Sequence, residues 1–193
     1  MMGMKTMIVT GFMPFGGEEI NPAWEAAAAL AEEIGGVRIV KVHLPVSYER
    51  SWSILKEAID REKPGAVLML GQAGGRTQVM AERVGRNKMD CASPDCDGVT
   101  EKGTRIEADG PEEILSPLAE RLSPPLWLSE DAGGYVCNCL CYKALRGFDG
   151  PCAFIHVPYC EDNLGAKAGK PYMPQEELNR LVRLAGEKTA QEI

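Results

Sequence analysis

The sequence predicts an α/β protein, a three-layer αβα sandwich around a mainly parallel, partly mixed sheet, with residues 1–193 forming a single domain. Three observations carry this expectation. Short apolar runs such as Ala66-Val67-Leu68-Met69-Leu70 have the length and composition of strands buried on both faces. These runs alternate with stretches of helical periodicity, the order that puts helices on both faces of a parallel sheet. A chain of 193 residues can bury one sizeable core and is short for two ordinary domains.

The elements follow in order. Thr6-Met7-Ile8-Val9-Thr10 reads as a first buried strand, followed by a loop, Gly11-Phe12-Met13-Pro14-Phe15-Gly16-Gly17, that holds two aromatic rings between proline and glycine. Asn21 caps a helix with Pro22 at its first position, expected to run to about Ile34. Val37 to Leu44 forms a second strand, on which His43 shares a face with Lys41 and is expected to be structural. Ser47 to Glu62 is an amphipathic helix carrying Trp52, Leu55 and Ile59, stopped by Pro64-Gly65 ahead of the Ala66 strand. Next come a glycine-rich loop, Gly71 to Arg76, and an extended arm, Gln78 to Asn87. Residues 88–109 are polar and rich in turn residues, which suggests an irregular excursion near the site or at a subunit contact. A helix is expected over Pro111–Leu122, a strand at Leu126-Trp127-Leu128, and a helix following Gly133-Gly134. Ala153 to Val157 is a further strand, and Pro174 to about Glu192 closes the chain as a helix.

Composition narrows the function classes. Hydrophobic residues at 45% and charged residues at 25% are ordinary for a globular protein. The net charge of -7 comes without any basic stripe, so neither nucleic acid nor an anionic membrane is an expected partner. The N-terminal stretch lacks the pattern of a signal peptide and no apolar run is long enough to span a bilayer, so a cytoplasmic location is expected. Seven cysteines, an odd number in that setting, point to reduced thiols.

The chemistry converges on a few residues. Cys137 follows the Gly133-Gly134 turn and falls in the first turn of a helix, where unpaired N–H groups and the helix dipole favour an anion. There a thiol is expected to be acidified, and the same N–H groups can hold an oxyanion. The competing reading is a small apolar residue of a buried helix. In a parallel sheet the loops at the C-terminal strand ends share one edge, and Phe12 with Phe15, Gln72 with Glu82 beyond it, Cys137 and His156 all map there. Of the two histidines, His156, at a strand exit before Pro158, is the better base for a thiol nucleophile. Sequence spacing leaves the carboxylate that orients it open among Glu82, Asp90, Glu130 and Asp131. Zinc is disfavoured because no Cys-x-x-Cys pair occurs and Cys137-x-Cys139-x-Cys141 points its middle thiol elsewhere; a thioredoxin-like role fails for the same reason.

Four motifs, in order, carry a resemblance across essentially the whole chain. They are Thr10-Gly11-Phe12-Met13-Pro14-Phe15-Gly16-Gly17 with Asn21-Pro22; Gly71-Gln72-Ala73-Gly74-Gly75-Arg76 with Glu82-Arg83-Val84 and Asn87; Ala132-Gly133-Gly134-Tyr135-Val136-Cys137-Asn138 with Tyr142; and Phe154-Ile155-His156-Val157-Pro158-Tyr159. In these the chain resembles the pyroglutamyl peptidase I family, the pyrrolidone-carboxylate cysteine peptidases. The resemblance implies a cysteine exopeptidase that removes an N-terminal pyroglutamyl residue through a thioester. It implies Cys137 as nucleophile, His156 as base and acid, and Glu82 as the group orienting His156. It further implies that Phe12 and Phe15 enclose the lactam ring, that Gln72 hydrogen-bonds in the same pocket, and that Tyr135 and Val136 help line it. No metal or other cofactor is implied; the partners are peptides with N-terminal pyroglutamate and copies of the chain in a homotetramer. A flat neutral ring without a free amine suits aromatic faces and amide-type hydrogen bonds.

The chain departs from the family's usual pattern at Ala92-Ser93-Pro94, where Arg-Ile-Pro is common, at Val46, where threonine is common, and at Met80-Ala81, where Thr-Pro precedes the glutamate. The alternative reading is therefore a homologue that binds lactams or peptides without turnover, or with altered specificity.

Overall fold

The computed structural model describes residues 5–164 and 167–193. Its main sheet has seven strands in the order β10-β5-β11-β4-β1-β3-β2. The core of that sheet, β1 (Lys5–Phe12), β3 (Val37–Leu44), β4 (Ala66–Gln72) and β11 (Cys152–Val157), is parallel. Helices α1 (Pro22–Ala28), α3 (Pro117–Leu122) and α5 (Gln175–Ala190) cover one face, and α2 (Arg50–Glu62) and α4 (Val136–Gly147) the other. Successive strand residues divide between the two layers as a pleat requires: Leu68 and Leu70 pack with α1, α3 and α5, while Val67 and Met69 pack with α2 and α4. The strand order reverses between β1 and β4, since β1 continues to β3 on one side and β3 returns to β4 on the other. Open α/β sheets hold their ligands at such a crevice.

The far end of the sheet is built differently. β5 (Met80–Glu82) runs antiparallel to β11, and β10 (Trp127–Ser129) runs parallel to β5, so both are reversed relative to the core strands. The expected common exit of all informative segments therefore holds for β1, β4 and β11 but not for β10. The chain leaves Ser129 beside Glu82 and uses the loop 130–135 to climb back to the start of α4. In the strand expected at Leu126-Trp127-Leu128, Leu126 is buried, while Trp127 is 61% and Leu128 40% exposed on the sheet edge.

Three helix boundaries also differ from expectation. Asn21 caps α1 as expected, its side chain accepting from the Ala23 N–H at 3.1 Å. The helix nevertheless stops at Ala28, where the Lys41 ammonium donates to the Ala28 carbonyl at 2.7 Å and satisfies one of its terminal acceptors. Glu33–Ile34 forms the short strand β2, which turns through Gly35 and Gly36, both at positive φ (58° and 80°), to pair with β3. The helix expected over residues 111–122 divides because Pro117 disfavours helical backbone at Ser116. Glu113–Leu115 is strand β9, paired with β6 (Val84–Arg86), and Ser116 caps α3. α2 starts at Arg50, not Ser47, whose hydroxyl accepts from the Arg50 N–H. The 88–109 excursion includes a small two-stranded sheet of β7 (Met89–Cys91) and β8 (Glu101–Thr104).

Candidate active site

The reversed strand β5 supplies the carboxylate. Glu82 stands opposite Phe154 in the β5–β11 ladder, so its side chain meets the diagonal neighbour on the same face, His156. The His156 Nδ1 lies 2.6 Å from Glu82 Oε1, with His156 4% exposed and Glu82 fully buried. Of the four carboxylates that spacing left open, Glu82 is thus the one against the imidazole. Asp90 and Glu130 instead pair with Lys88 and Arg83, and Asp131 with Arg86. Burial pushes the Glu82 carboxyl upward, but its hydrogen bond to His156, the charge of that imidazole, the Ser129 hydroxyl and Arg76 together hold it below the usual range.

Cys137 reaches the same place from above. It is the second residue of α4, whose cap residue Tyr135 is extended and makes no side-chain cap bond, so no side chain covers the first helical N–H groups. Asn138, 1% exposed, anchors this turn: it accepts from the Arg86 N–H and donates to the Arg86 and Lys88 carbonyls, each at 2.8–2.9 Å. The Cys137 sulfur sits over Gly71, where an added Cβ would lie 2.9 Å from Sγ and 2.7 Å from the Phe154 ring. Gly71 is the β4 partner of His156, so the Cys137 sulfur lies over β4 and the imidazole on the adjacent strand β11, on one face of the sheet. Burial pushes the Cys137 thiol up to about 12; the Glu82 charge adds to this, while Arg76 and the helix backbone pull the other way. Desolvation thus opposes the acidification expected at a helix start.

The lining residues divide. Phe12 is only 2% exposed and packs toward Phe154, with ring centroids 6.5 Å apart, so it forms a floor. Phe15 and Tyr135 are partly exposed and face each other at 6.4 Å, and Tyr48, which the sequence reading did not single out, meets Tyr135 edge-on at 5.7 Å. The Tyr135 hydroxyl donates to the Pro94 carbonyl at 2.8 Å, and the Asp90 N–H donates to the Gly134 carbonyl at 2.8 Å, which brings the 88–109 excursion against the site. Two residues of the expected lining contribute main chain, not side chain. Val136 is completely buried among core side chains and offers the pocket its backbone only. Gln72 follows Leu70 onto the opposite face from Gly71 and Cys137, and its Nε2 donates to Glu18 at 2.9 Å. What Gln72 turns toward the crevice is its main chain: Ala73 N–H bonds Val157 on the β11 side, so the N–H and C=O of Gln72 face β1, whose pairing with β4 ends at Thr10 and Met69.

Arg76 was visible in the sequence as a guanidinium in a glycine-rich loop, without a role; here its Nη1 lies 3.0 Å from Glu82 Oε1. Ser129 carried no signal, and Asn138 stood in a motif without a role, because their importance depends on pairing across reversed or distant strands. A cavity of about 880 Å³ between the segment 29–35 and α5 is lined by none of these residues. Among the described residues, no group of three or more His, Cys, Asp or Glu side chains is placed to hold a metal ion, and no helix is long and apolar enough to cross a membrane.

Comparison with known proteins agrees with this geometry. The pyroglutamyl peptidase family model matches residues 4–192. The pyrrolidone-carboxylate peptidase of Escherichia fergusonii is 37% identical over 94% of this chain and 91% of its own length. That of Thermococcus kodakarensis is 37% identical over 93% of each. Among solved structures, pyroglutamyl peptidase I of Bacillus amyloliquefaciens superposes with a TM-score of 0.86 at 31% identity, covering 97% of both chains. The pyrrolidone carboxyl peptidase of Thermococcus litoralis reaches a TM-score of 0.89 at 29% identity, over 97% of this chain and 94% of that one. A buried imidazole–carboxylate pair beside an uncapped helix start bearing a thiol is the equipment of a cysteine peptidase, and the chain belongs to the pyroglutamyl peptidase family.

Proposed function

We propose that the chain hydrolyses the amide bond after an N-terminal pyroglutamyl residue with Cys137 as nucleophile, His156 as base and acid, and Glu82 as the group that orients His156. The observation that carries these assignments is the 2.6 Å contact between His156 and a fully buried Glu82, one strand from the sulfur of Cys137. With Nδ1–H donated to Glu82, the imidazole keeps its Nε2 lone pair for the thiol proton. Sulfur attacks the scissile carbonyl as His156 takes that proton, and the oxyanion is received by the N–H groups at the start of α4. The tetrahedral intermediate collapses, the C–N bond breaks, and His156 returns the proton to the departing amine. A water molecule, deprotonated by His156, then attacks the thioester; collapse releases pyroglutamate and the sulfur regains its proton.

Recognition follows from the crevice between β1 and β4. A lactam presents an N–H donor beside a C=O acceptor, and the Gln72 main chain offers an acceptor and a donor toward that crevice. The floor of Phe12 and the rim of Phe15 and Tyr135 suit the flat apolar ring edge. Residues 1–193 act as one catalytic domain on peptides bearing N-terminal pyroglutamate, within the cytoplasm and as a homotetramer, the last testable by light scattering.

The test is hydrolysis of pyroglutamyl-aminomethylcoumarin under reducing conditions with a chelator, alongside Cys137→Ser. Turnover lost in a folded Cys137→Ser variant is expected. Silence from folded wild type would favour a binder or a different lactam, with the Ala92-Ser93 departure as the place to look.

A further inference from the structure

We propose that Arg76 is a positioning residue for the Glu82–His156 pair, keeping Glu82 ionised and its Oε1 aimed at His156 throughout the reaction. This rests on the assignment of Glu82 and His156 given above and adds a fourth member that acts through them.

Glu82 is fully buried, and its Oε2 has no hydrogen-bond partner among the described residues. Its charge is balanced at Oε1 alone, where His156 Nδ1 approaches to 2.6 Å and Arg76 Nη1 to 3.0 Å. His156 is neutral whenever it has handed its proton to the leaving amine or has yet to accept one from the thiol. In those states Arg76 is the remaining cation within ion-pairing distance of Glu82 among the described residues. A buried carboxylate without a counter-charge takes up a proton. Protonation would reverse the hydrogen bond: the carboxyl O–H would donate to Nδ1, the ring proton would move to Nε2, and no lone pair would face Cys137.

The geometry of the guanidinium fits this task. Its Nη2 donates to the Asp131 carbonyl at 2.7 Å, in the loop that climbs from β10 to the nucleophile, and its Nη1 also contacts the Met80 sulfur at 2.9 Å on β5. One planar group thus ties the strand of the carboxylate to the loop of the thiol, which a point charge on a flexible stem would not do. Its side chain is 23% exposed, so solvent screens the contact only in part. The other polar and titratable groups around Glu82 are the Ser129 hydroxyl on β10 and the Cys137 and Cys141 thiols on α4. The Asp131 carboxylate is itself engaged by Arg86 at 3.3 Å. None of these supplies a positive charge. Arg76 also lowers the proton affinity of Cys137, opposing the push from Glu82.

The experiment measures kcat and KM against pH for Arg76→Gln, Arg76→Lys and Glu82→Gln, with the pH dependence of iodoacetamide inactivation as a second readout. For Arg76→Gln the expected result is a kcat lower by about tenfold or more, with KM changed by less than about twofold. The acid limb of kcat/KM moves up by about one pH unit, because losing a nearby cation lets the carboxylate bind protons more readily. The half-rise of thiol alkylation moves up in the same direction. Arg76→Lys, which keeps the charge but not the planar bridge, restores the position of the acid limb while kcat stays below wild type. Should Arg76→Gln fail to fold by circular dichroism, Arg76→Met preserves more of the side-chain packing and is read in the same way. A pH profile and alkylation curve superposable on wild type in a folded neutral variant overturns the proposal. If Glu82→Gln is impaired while Arg76→Gln is unchanged, only this inference fails; if Glu82→Gln retains full activity, the underlying assignment of Glu82 fails with it.

Discussion

The two histidines lie near the C-terminal ends of two parallel strands, His43 on β3 and His156 on β11, yet their surroundings differ. His43 pairs in the ladder with Gly11 and stacks on Trp24, with ring centroids 3.9 Å apart and planes within 7°. Burial lowers its proton affinity, and its buried Nε2 has no hydrogen-bond partner among the described residues. His156 is equally part of a strand, but β5 runs against β11 and brings a carboxylate to within 2.6 Å of it. Strand position alone does not distinguish the two histidines. A neighbouring strand running the other way, carrying a buried acid two positions along, does.

The comparison is broken most severely at that acid. Glu82→Gln keeps the size of the side chain but no longer fixes Nδ1 as the protonated nitrogen, and kcat is expected to fall by about 10⁴-fold with little change in KM. Steady-state kinetics on a variant with a native circular dichroism spectrum checks this. Wild-type turnover in Glu82→Gln would mean that β5 positions His156 only by packing.

Next in size is Gly71→Ala, at the junction of the two halves. The new methyl would sit 2.9 Å from Cys137 Sγ and 2.7 Å from the Phe154 ring, so the sulfur must shift. A displacement approaching an ångström costs on the order of 10²-fold in rate. Iodoacetamide labelling at Cys137 should slow as well, and unchanged labelling together with unchanged turnover would show that α4 yields without moving the nucleophile.

How much of this was legible follows the same division. Strands β1, β3, β4 and β11 and the helices α1, α2, α4 and α5 were readable because apolar runs and helical periodicity report local burial. The reversed pair β5 and β10 was not: three-residue strands carry too little periodicity to show direction, and nothing in Leu126-Trp127-Leu128 marks it as an exposed edge. Spacing alone therefore left Glu82, Asp90, Glu130 and Asp131 tied, and the family resemblance chose among them. The direction of the Gln72 side chain was not legible for a related reason. Its place at the end of β4 was evident, but the alternation that turns it toward Glu18 needs the register fixed by Leu70 and Gly71.

A smaller effect is expected at the rim. Tyr135→Phe removes only the hydroxyl that donates to the Pro94 carbonyl at 2.8 Å, loosening the excursion while keeping the ring between Phe15 and Tyr48. One partly exposed hydrogen bond contributes about 1 kcal/mol or less to stability. KM should rise by about twofold to fivefold, within what 1 kcal/mol allows, with kcat nearly constant. A fall in kcat without a change in KM would place Tyr135 in the chemistry instead of the pocket wall.

The smallest effect belongs to the other histidine and serves as the control for the first. His43→Phe keeps a flat ring against Trp24 and removes the buried, unpartnered Nε2, so kcat and KM should match wild type and stability near neutral pH should change by about 1 kcal/mol or less. The acid side distinguishes the variants. Because the folded environment lowers the proton affinity of His43 below its ordinary value of 6.5, folding favours the neutral ring. That contribution is complete above the unfolded value and is lost as the pH falls through the lowered one. Melting temperatures followed downward from neutrality should therefore decline more steeply for wild type than for His43→Phe, in a range above that of the carboxylates common to both. Equal slopes would mean that the ring accepts its proton without penalty, and the contrast drawn between the two histidines would then rest on Glu82 alone.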